Sequence, residues 1–148
     1  MTEKIVQEIQ QALGDKIKKV VIKNSQRVYI DIDPKAIREV GLYLWKDRGA
    51  RYSIATTVDN RTSFEVIHHF SLDREGGAMV SVRSVLSREK PSMPSLATVI
   101  AAANWIEREM SELMGVEFEG HPDMRRFLLS SEHWPEGVYT LRKDFSNR

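Results

Sequence analysis

Cysteine is absent from all 148 residues. That removes disulfides, thiolate-held iron–sulfur clusters and Cys-based zinc sites from this chain. An excess of one charge is missing too: 22 Lys and Arg stand against 21 Asp and Glu, a formal net charge of +1. A dedicated nucleic-acid binder needs a net basic face to gain from counterion release, so that class is disfavoured. No window approaches the ~20 consecutive apolar residues of a membrane span. Charges run through Met1 to Gly14, where a signal peptide would be apolar, so neither a signal peptide nor a transmembrane segment is expected. Gly76-Gly77 is followed by neither a lysine-bearing loop nor a helix start, and reads as a turn rather than a phosphate cradle. Repeats, low-complexity tracts and linkers are also lacking. One domain over residues 1–148 is expected, long enough to bury a real core.

What is present alternates between two periods. Ile5, Val6, Ile9 and Leu13 fall at helical spacing, with Gly14 as the stop. Lys19 to Lys23 and Arg27 to Asp31 are β-branched runs either side of Asn24-Ser25-Gln26, a hairpin signal. Asp33-Pro34 reads as an N-cap with proline in the first turn, opening a helix over Pro34–Lys46 that carries Ile37, Val40, Leu44 and Trp45. Three strands follow at 52–58, 63–72 and 78–86. In the middle one Phe64, Val66, His68, Phe70 and Leu72 share the face expected to be core. Pro91 and Pro94 end the sheet. Ser95 is the expected N-cap of the longest helix, running to Met114, with Gly115 placed for a left-handed C-cap. The fold class predicted is α+β, a mostly antiparallel or mixed sheet flanked by helices, because strands joined by tight turns cannot be parallel to one another.

Charge concentrates in the last third. Trp105, Arg108, Glu109 and Glu112 lie on one side of the long helix at i, i+3, i+4 and i+7, with Glu107 beside them. Arg108 is spaced to pair with Glu112. His121 is held extended by Pro122, and a short helix is expected from Pro122 or Asp123, bearing Arg125, Arg126, Phe127 and Leu128. A reversal at Gly120 brings the guanidiniums of Arg125 and Arg126 back to the acidic helix, where Arg–carboxylate forks are expected. Such a network fixes geometry more than it adds stability. Paired acids also serve acid–base catalysis, but no nucleophile, phosphate loop or metal set accompanies these. His68 and His69 point to opposite faces of a strand and cannot chelate one ion; His68 reads as a hydrogen-bonded core histidine. His121 and His133 lack a close third ligand. Met110, Met114 and Met124 read as core at helical spacing. Arg125, Arg126, Arg142, Lys143 and Arg148 make a basic cluster that Asp123, Glu132, Glu136 and Asp144 offset, which favours protein contact over nucleic acid.

The run from Trp105 to Leu129, with Leu141-Arg142-Lys143-Asp144-Phe145 after it, resembles the 30-kDa (C-type) subunit of respiratory complex I. It equally resembles that subunit's counterparts in membrane-bound, energy-converting NiFe hydrogenases and formate hydrogenlyase. Phe127 departs from the family's usual aliphatic residue, and Thr140 from a common proline. The resemblance implies an α+β scaffold with no cofactor of its own. Iron–sulfur clusters, and NiFe or quinone, then belong to partner subunits. The implied partners are a large hydrogenase-like (49-kDa-type) subunit, a small iron–sulfur (20-kDa-type) subunit and, through the complex, ion-translocating membrane subunits; nucleic acid is not among them. The implied place is peripheral, on the cytoplasmic side of the cell membrane. Glu107, Arg108, Glu109, Glu112, His121, Pro122, Asp123, Arg125, Arg126, Arg142, Lys143 and Asp144 would form the signature for internal order and contact between subunits, with 116–148 as the docking segment. No catalytic residue is expected. His133 to Phe145 looks more like the hydrogenase branch, as does the end of the chain three residues after Phe145. The competing class is a free-standing small α+β protein binding a small ligand or nucleic acid.

Overall fold

Helix α1 (Thr2–Leu13) buries Ile5, Val6, Ile9 and Leu13, the stripe its spacing predicts. The structure, a computed structural model, describes residues 2–146. Strands β1 (Ile17–Asn24) and β2 (Arg27–Ile32) form the expected hairpin. Its turn is closed by the Asn24 side chain, which accepts from the Gln26 N–H at 2.9 Å. Asp33 caps the next coil by accepting from the Lys35 N–H at 2.9 Å. That coil passes through three geometries: a 3-10 turn (Pro34–Ala36), α2 (Ile37–Leu42) and a π turn (Tyr43–Asp47). Ile37, Val40 and Leu44 are fully buried, but Trp45 is 45% exposed and does not belong to the stripe. The wider π turn rotates it away from the core.

Strands β3 (Arg51–Asp59), β4 (Ser63–Leu72) and β5 (Ala78–Ser87) run as an antiparallel meander. β5 then lies parallel to β2, so the sheet is mixed, in the order β1-β2-β5-β4-β3. β1 and β3 are its edges. Phe64, Val66, His68, Phe70 and Leu72 all face the core, under α1 and α2. The opposite face is polar: Arg83 forks onto Asp31 at 2.8 and 2.6 Å and reaches Glu65 at 3.7 Å. His68 is wholly buried with its Nδ1 3.1 Å from the Tyr52 hydroxyl. Burial pushes its imidazole down to about 3, which keeps it neutral.

The helix expected from Ser95 is shorter than its apolar period suggests. Residues 96–99 turn, Ala101–Ala103 make a 3-10 turn, and α3 spans only Asn104–Met114. Ile100, at φ −130° and ψ 99°, is extended and interrupts the coil. Gly115 ends α3 with φ +75°, as its C-cap position predicts. The proline pair does close the large sheet. Yet Ser92–Pro94 (β6) pairs parallel with Glu117–Glu119 (β7) in a separate two-stranded ribbon, an edge setting that proline tolerates.

Candidate subunit interface

α3 organises the last third of the chain through its charged side chains. Glu107 is fully buried. Its carboxylate accepts from the Ser95 hydroxyl and from the Leu96 N–H at 2.6 Å, an amide that a helix starting at Ser95 would leave without a partner of its own. Ser95 caps only a short turn, its Oγ accepting from the Ala97 N–H at 3.1 Å, because the coil breaks at Ile100. Burial pushes the Glu107 carboxyl up to about 7, against the opposing pull of these donors and of Arg38. The imidazole of His121 is buried beside it, Nε2 standing 3.8 Å from the carboxylate. Its Nδ1 accepts from the Asp123 N–H at 3.0 Å. Nε2 then carries the proton and donates to the Asn104 carbonyl at 3.1 Å. The Gly-His-Pro-Asp turn is thus keyed to the start of α3, with Pro122 exposed between the two bonded residues. Gly120 makes the reversal at φ +77°, and a Cβ there would stand 3.0 Å from Arg38 Nη2.

Beyond the turn no helix forms; residues 122–129 are irregular. Arg108 and Glu112, one turn apart on α3, account for this. Arg108 donates to the carbonyls of Arg125 and Arg126 at 3.2 and 2.8 Å. Glu112 accepts from the N–H groups of Phe127, Leu128 and Leu129 at 3.1, 2.8 and 3.2 Å. Together the two side chains supply the bonding a helix or ladder would have provided. Partial burial works to raise the Glu112 carboxyl, but the three amides and the field of Arg126 outweigh it and hold it below its ordinary value. Arg108 also lies over the Phe127 ring at 4.8 Å, and Trp105 packs on the same ring at 5.9 Å.

The reversal predicted at Gly120 exists, but the Arg–carboxylate forks to α3 do not. Arg125 forks locally onto Asp123 at 2.5 and 2.7 Å, on an exposed surface. Arg126 donates to the Trp134 carbonyl at 2.6 Å. Arg108 does not pair with Glu112. Glu109 is half-buried, and among the described residues its carboxylate meets no cation. Arg142 donates to the orphan carbonyl of Met114 at 2.7 Å and stacks on Tyr139 and Phe64. Lys143 donates its backbone N–H to Asp59 at 2.9 Å, and Asp144 pairs with Arg88 at 3.1 Å. Arg148 lies outside the described residues. Of the three methionines, Met110 and Met114 are buried and Met124 is 42% exposed.

Asp59 is the residue that sequence reading missed. Buried at the end of β3, it gathers Arg88, the Arg61 N–H and the Lys143 N–H. Burial would raise its carboxyl, but these donors hold it well below the usual carboxylate range. Locally it looks like any turn aspartate before Asn60-Arg61, and nothing in the spacing links residue 59 to residue 143. The result is a surface of exposed apolar side chains, Trp105 on α3 and Leu128 and Leu141 on pinned, irregular backbone, 69%, 60% and 60% exposed.

Comparison with known proteins converges. A family model described as "Respiratory-chain NADH dehydrogenase, 30 Kd subunit" matches residues 30–148. The C-type subunit of NADH-quinone oxidoreductase from Rhodobacter capsulatus is 34% identical over 92% of this chain and 68% of its own length. Membrane-bound hydrogenase subunit beta of Pyrococcus furiosus is 30% identical over 84% of this chain and 76% of its own. In a solved structure of the membrane-bound sulfane sulfur reductase, an archaeal respiratory membrane complex, one chain superposes with a TM-score of 0.82 at 25% identity, covering 98% of this chain and 85% of that one. Against two Ruegeria relatives, likewise C-type subunits of NADH-quinone oxidoreductase, this chain spans 58% of their length.

Proposed function

Given that the chain belongs to the family of the 30-kDa subunit of respiratory-chain NADH dehydrogenase, we propose that it is a cofactor-free scaffold subunit of a membrane-associated, complex-I-like oxidoreductase. In this reading it docks on a large hydrogenase-like catalytic subunit beside a small iron–sulfur subunit, on the cytoplasmic side. The chemistry belongs to those partners. Membrane attachment does too; among the described residues no helix is long and apolar enough to cross a membrane. The reading is common to the hydrogenase and the quinone-reducing branches, since relatives of both kinds match.

One observation carries it. Trp105 and Leu128 are apolar and more than half exposed; Trp105 stands on α3 itself, and Leu128 on backbone that Arg108 and Glu112 hold in place from α3. A loop that served no partner would not need large apolar groups on a prearranged frame. A pinned aromatic next to an arginine is the composition of a binding hot spot.

The test is the double variant Trp105→Ser, Leu128→Ser in the intact complex. Both side chains are exposed, so the chain's own stability should shift within about 0.5 kcal/mol per site. Loss of a hot-spot aromatic costs about 2 kcal/mol or more of docking energy, which is ~30-fold in the equilibrium. Native gels should show far less assembled complex, while turnover per assembled complex is unchanged. Normal assembly with collapsed specific activity would place these residues on the reaction path and end the scaffold reading. So would recovery of the wild-type chain as a lone monomer.

A further inference from the structure

Each end of the five-stranded sheet leaves a row of backbone N–H and C=O groups without a ladder partner. The β1 end is guarded. It carries Lys18, Lys19 and Lys23, and its register with β2 slips near both ends; charge and bulges of this kind discourage further pairing. The β3 end is not guarded over its second half. Residues Ser53 to Val58 carry no charge, and the ladder to β4 runs without a shift from Ile54 to Asp59. Ile54 is 51% exposed there.

A groove of about 520 Å³ runs beside that edge. Residues 54–59 of β3 border it without a gap, and Ile106, Met110, Leu113 and Met114 of α3 form its other wall. Successive side chains of a strand point to opposite faces. Six consecutive strand residues can line one groove only if it follows the strand's backbone edge. Besides Asp59, which Arg88 pairs, two more charges border it, Glu109 and Lys143. Among the described residues neither the Glu109 carboxylate nor the Lys143 ammonium meets an opposite charge; Lys143 bonds Asp59 only through its backbone. Arg142 shows how the ends align. It bonds the Met114 carbonyl and stacks on Phe64, which faces Asp59 in the ladder. Lys143 therefore marks the shared C-terminal end of β3 and α3, and Glu109 stands more than a turn back along α3.

We propose that an extended segment of a partner subunit pairs with β3 as a sixth strand of the sheet. Its apolar side chains, at alternate positions, enter the groove against α3, and it carries a base opposite Glu109 and an acid opposite Lys143. The proposal rests on the scaffold reading and specifies how that docking is made. An extended chain is the occupant that fits both parts of the site. A small apolar molecule would fill the groove yet leave the outward backbone groups of β3 to water, whereas a second backbone satisfies them and places every second side chain in the groove.

The absence of native cysteine makes the test direct. Ile54→Cys, Thr56→Cys and Val58→Cys, each labelled with a benzophenone maleimide, are irradiated in the assembled complex and the adducts mapped by mass spectrometry. The expected adducts fall about two residues apart along one segment of one partner subunit, in an order that reports strand direction. Amide exchange of residues 56–58 should slow at least tenfold on assembly. Thr56→Lys should cut the assembled fraction at least tenfold, while Ile22→Lys on the guarded edge leaves it unchanged. Adducts on a second copy of this chain, on lipid or another small molecule, or scattered over a folded surface would overturn the proposal, as would unchanged exchange in an assembled complex. Those outcomes leave the scaffold reading standing. A wild-type chain that enters no larger complex sinks the scaffold reading itself.

Discussion

Replacing Glu107 by glutamine should flatten one segment of the protein's pH–stability curve. The wild-type carboxyl is fully buried, and burial raises it from 4.5 to about 7. As pH climbs above 4.5 the unfolded chain releases this proton while the folded chain keeps it. The folded state then binds more protons than the unfolded one, so stability falls with rising pH. The slope is about 1.4 kcal/mol per pH unit. Over the interval from 4.5 to about 7 the loss comes to about 3 kcal/mol. Above that interval both states are ionised and the contribution is constant. Glutamine keeps the shape, and its carbonyl can still accept from the Leu96 N–H that the carboxylate holds at 2.6 Å. Its amide can donate to the Ser95 oxygen, which in turn keeps the Ala97 N–H.

The measurement is urea unfolding of wild type and Glu107→Gln at intervals from pH 4.5 to 8. Arg38 faces this site from α2, and His121 stands 3.8 Å away; both are present in the two proteins. The informative quantity is therefore the difference between the two proteins, in which terms common to both cancel. That difference should move in favour of glutamine by about 3 kcal/mol between pH 4.5 and 7 and then stay level, a change of roughly 6–12 °C in Tm for a domain of this size. Parallel curves across the whole range would refute the argument, because they would mean that the carboxyl titrates alike in folded and unfolded chains.

Two further predictions concern the irregular segment. Glu112→Ala removes the acceptor of the Phe127, Leu128 and Leu129 amides; a cost of about 1–3 kcal/mol is expected, concentrated locally, so limited trypsin digestion should cleave after Arg125 or Arg126 roughly tenfold faster, and an unchanged rate would show that the segment is held by something else. Gly115→Ala forces a left-handed residue, at about 1–2 kcal/mol, and sets a Cβ against the Arg142 guanidinium and 2.6 Å from the Tyr139 ring. Amide exchange at Leu141, bonded to the Leu113 carbonyl at 3.1 Å, should accelerate well beyond the drop in global stability, and proportionate changes would mean that Arg142 does not tie the tail to α3.

Where contacts are local, the pattern of residues announces them. The alternation in β4 and the Asn24-Ser25-Gln26 turn are decided within a few residues, and the structure has both. The parallel pairing of β2 with β5 is not local, since it joins strands separated by α2 and two intervening strands; no spacing within either strand announces it. The false start at Ser95 is equally unannounced. Its local apolar period continues unbroken, yet the backbone turns extended at Ile100 and a new coil begins at Ala101. The charged signature is the instructive case. Spacing places Arg108 and Glu112 correctly on one face of α3, and the natural inference from charges near a chain reversal is that acids will meet bases. That inference counts only charges. The returning segment brings far more backbone N–H and C=O groups than guanidiniums, and without a ladder of its own each must be satisfied or left to water. Arg108 and Glu112 reach those groups first. Next to an irregular segment, then, a paired acid and base one turn apart on a helix read better as a clamp for that segment's backbone than as an ion-pair network. Here the clamp fixes the segment on which Leu128 stands exposed, with Phe127 packed on Trp105 of α3.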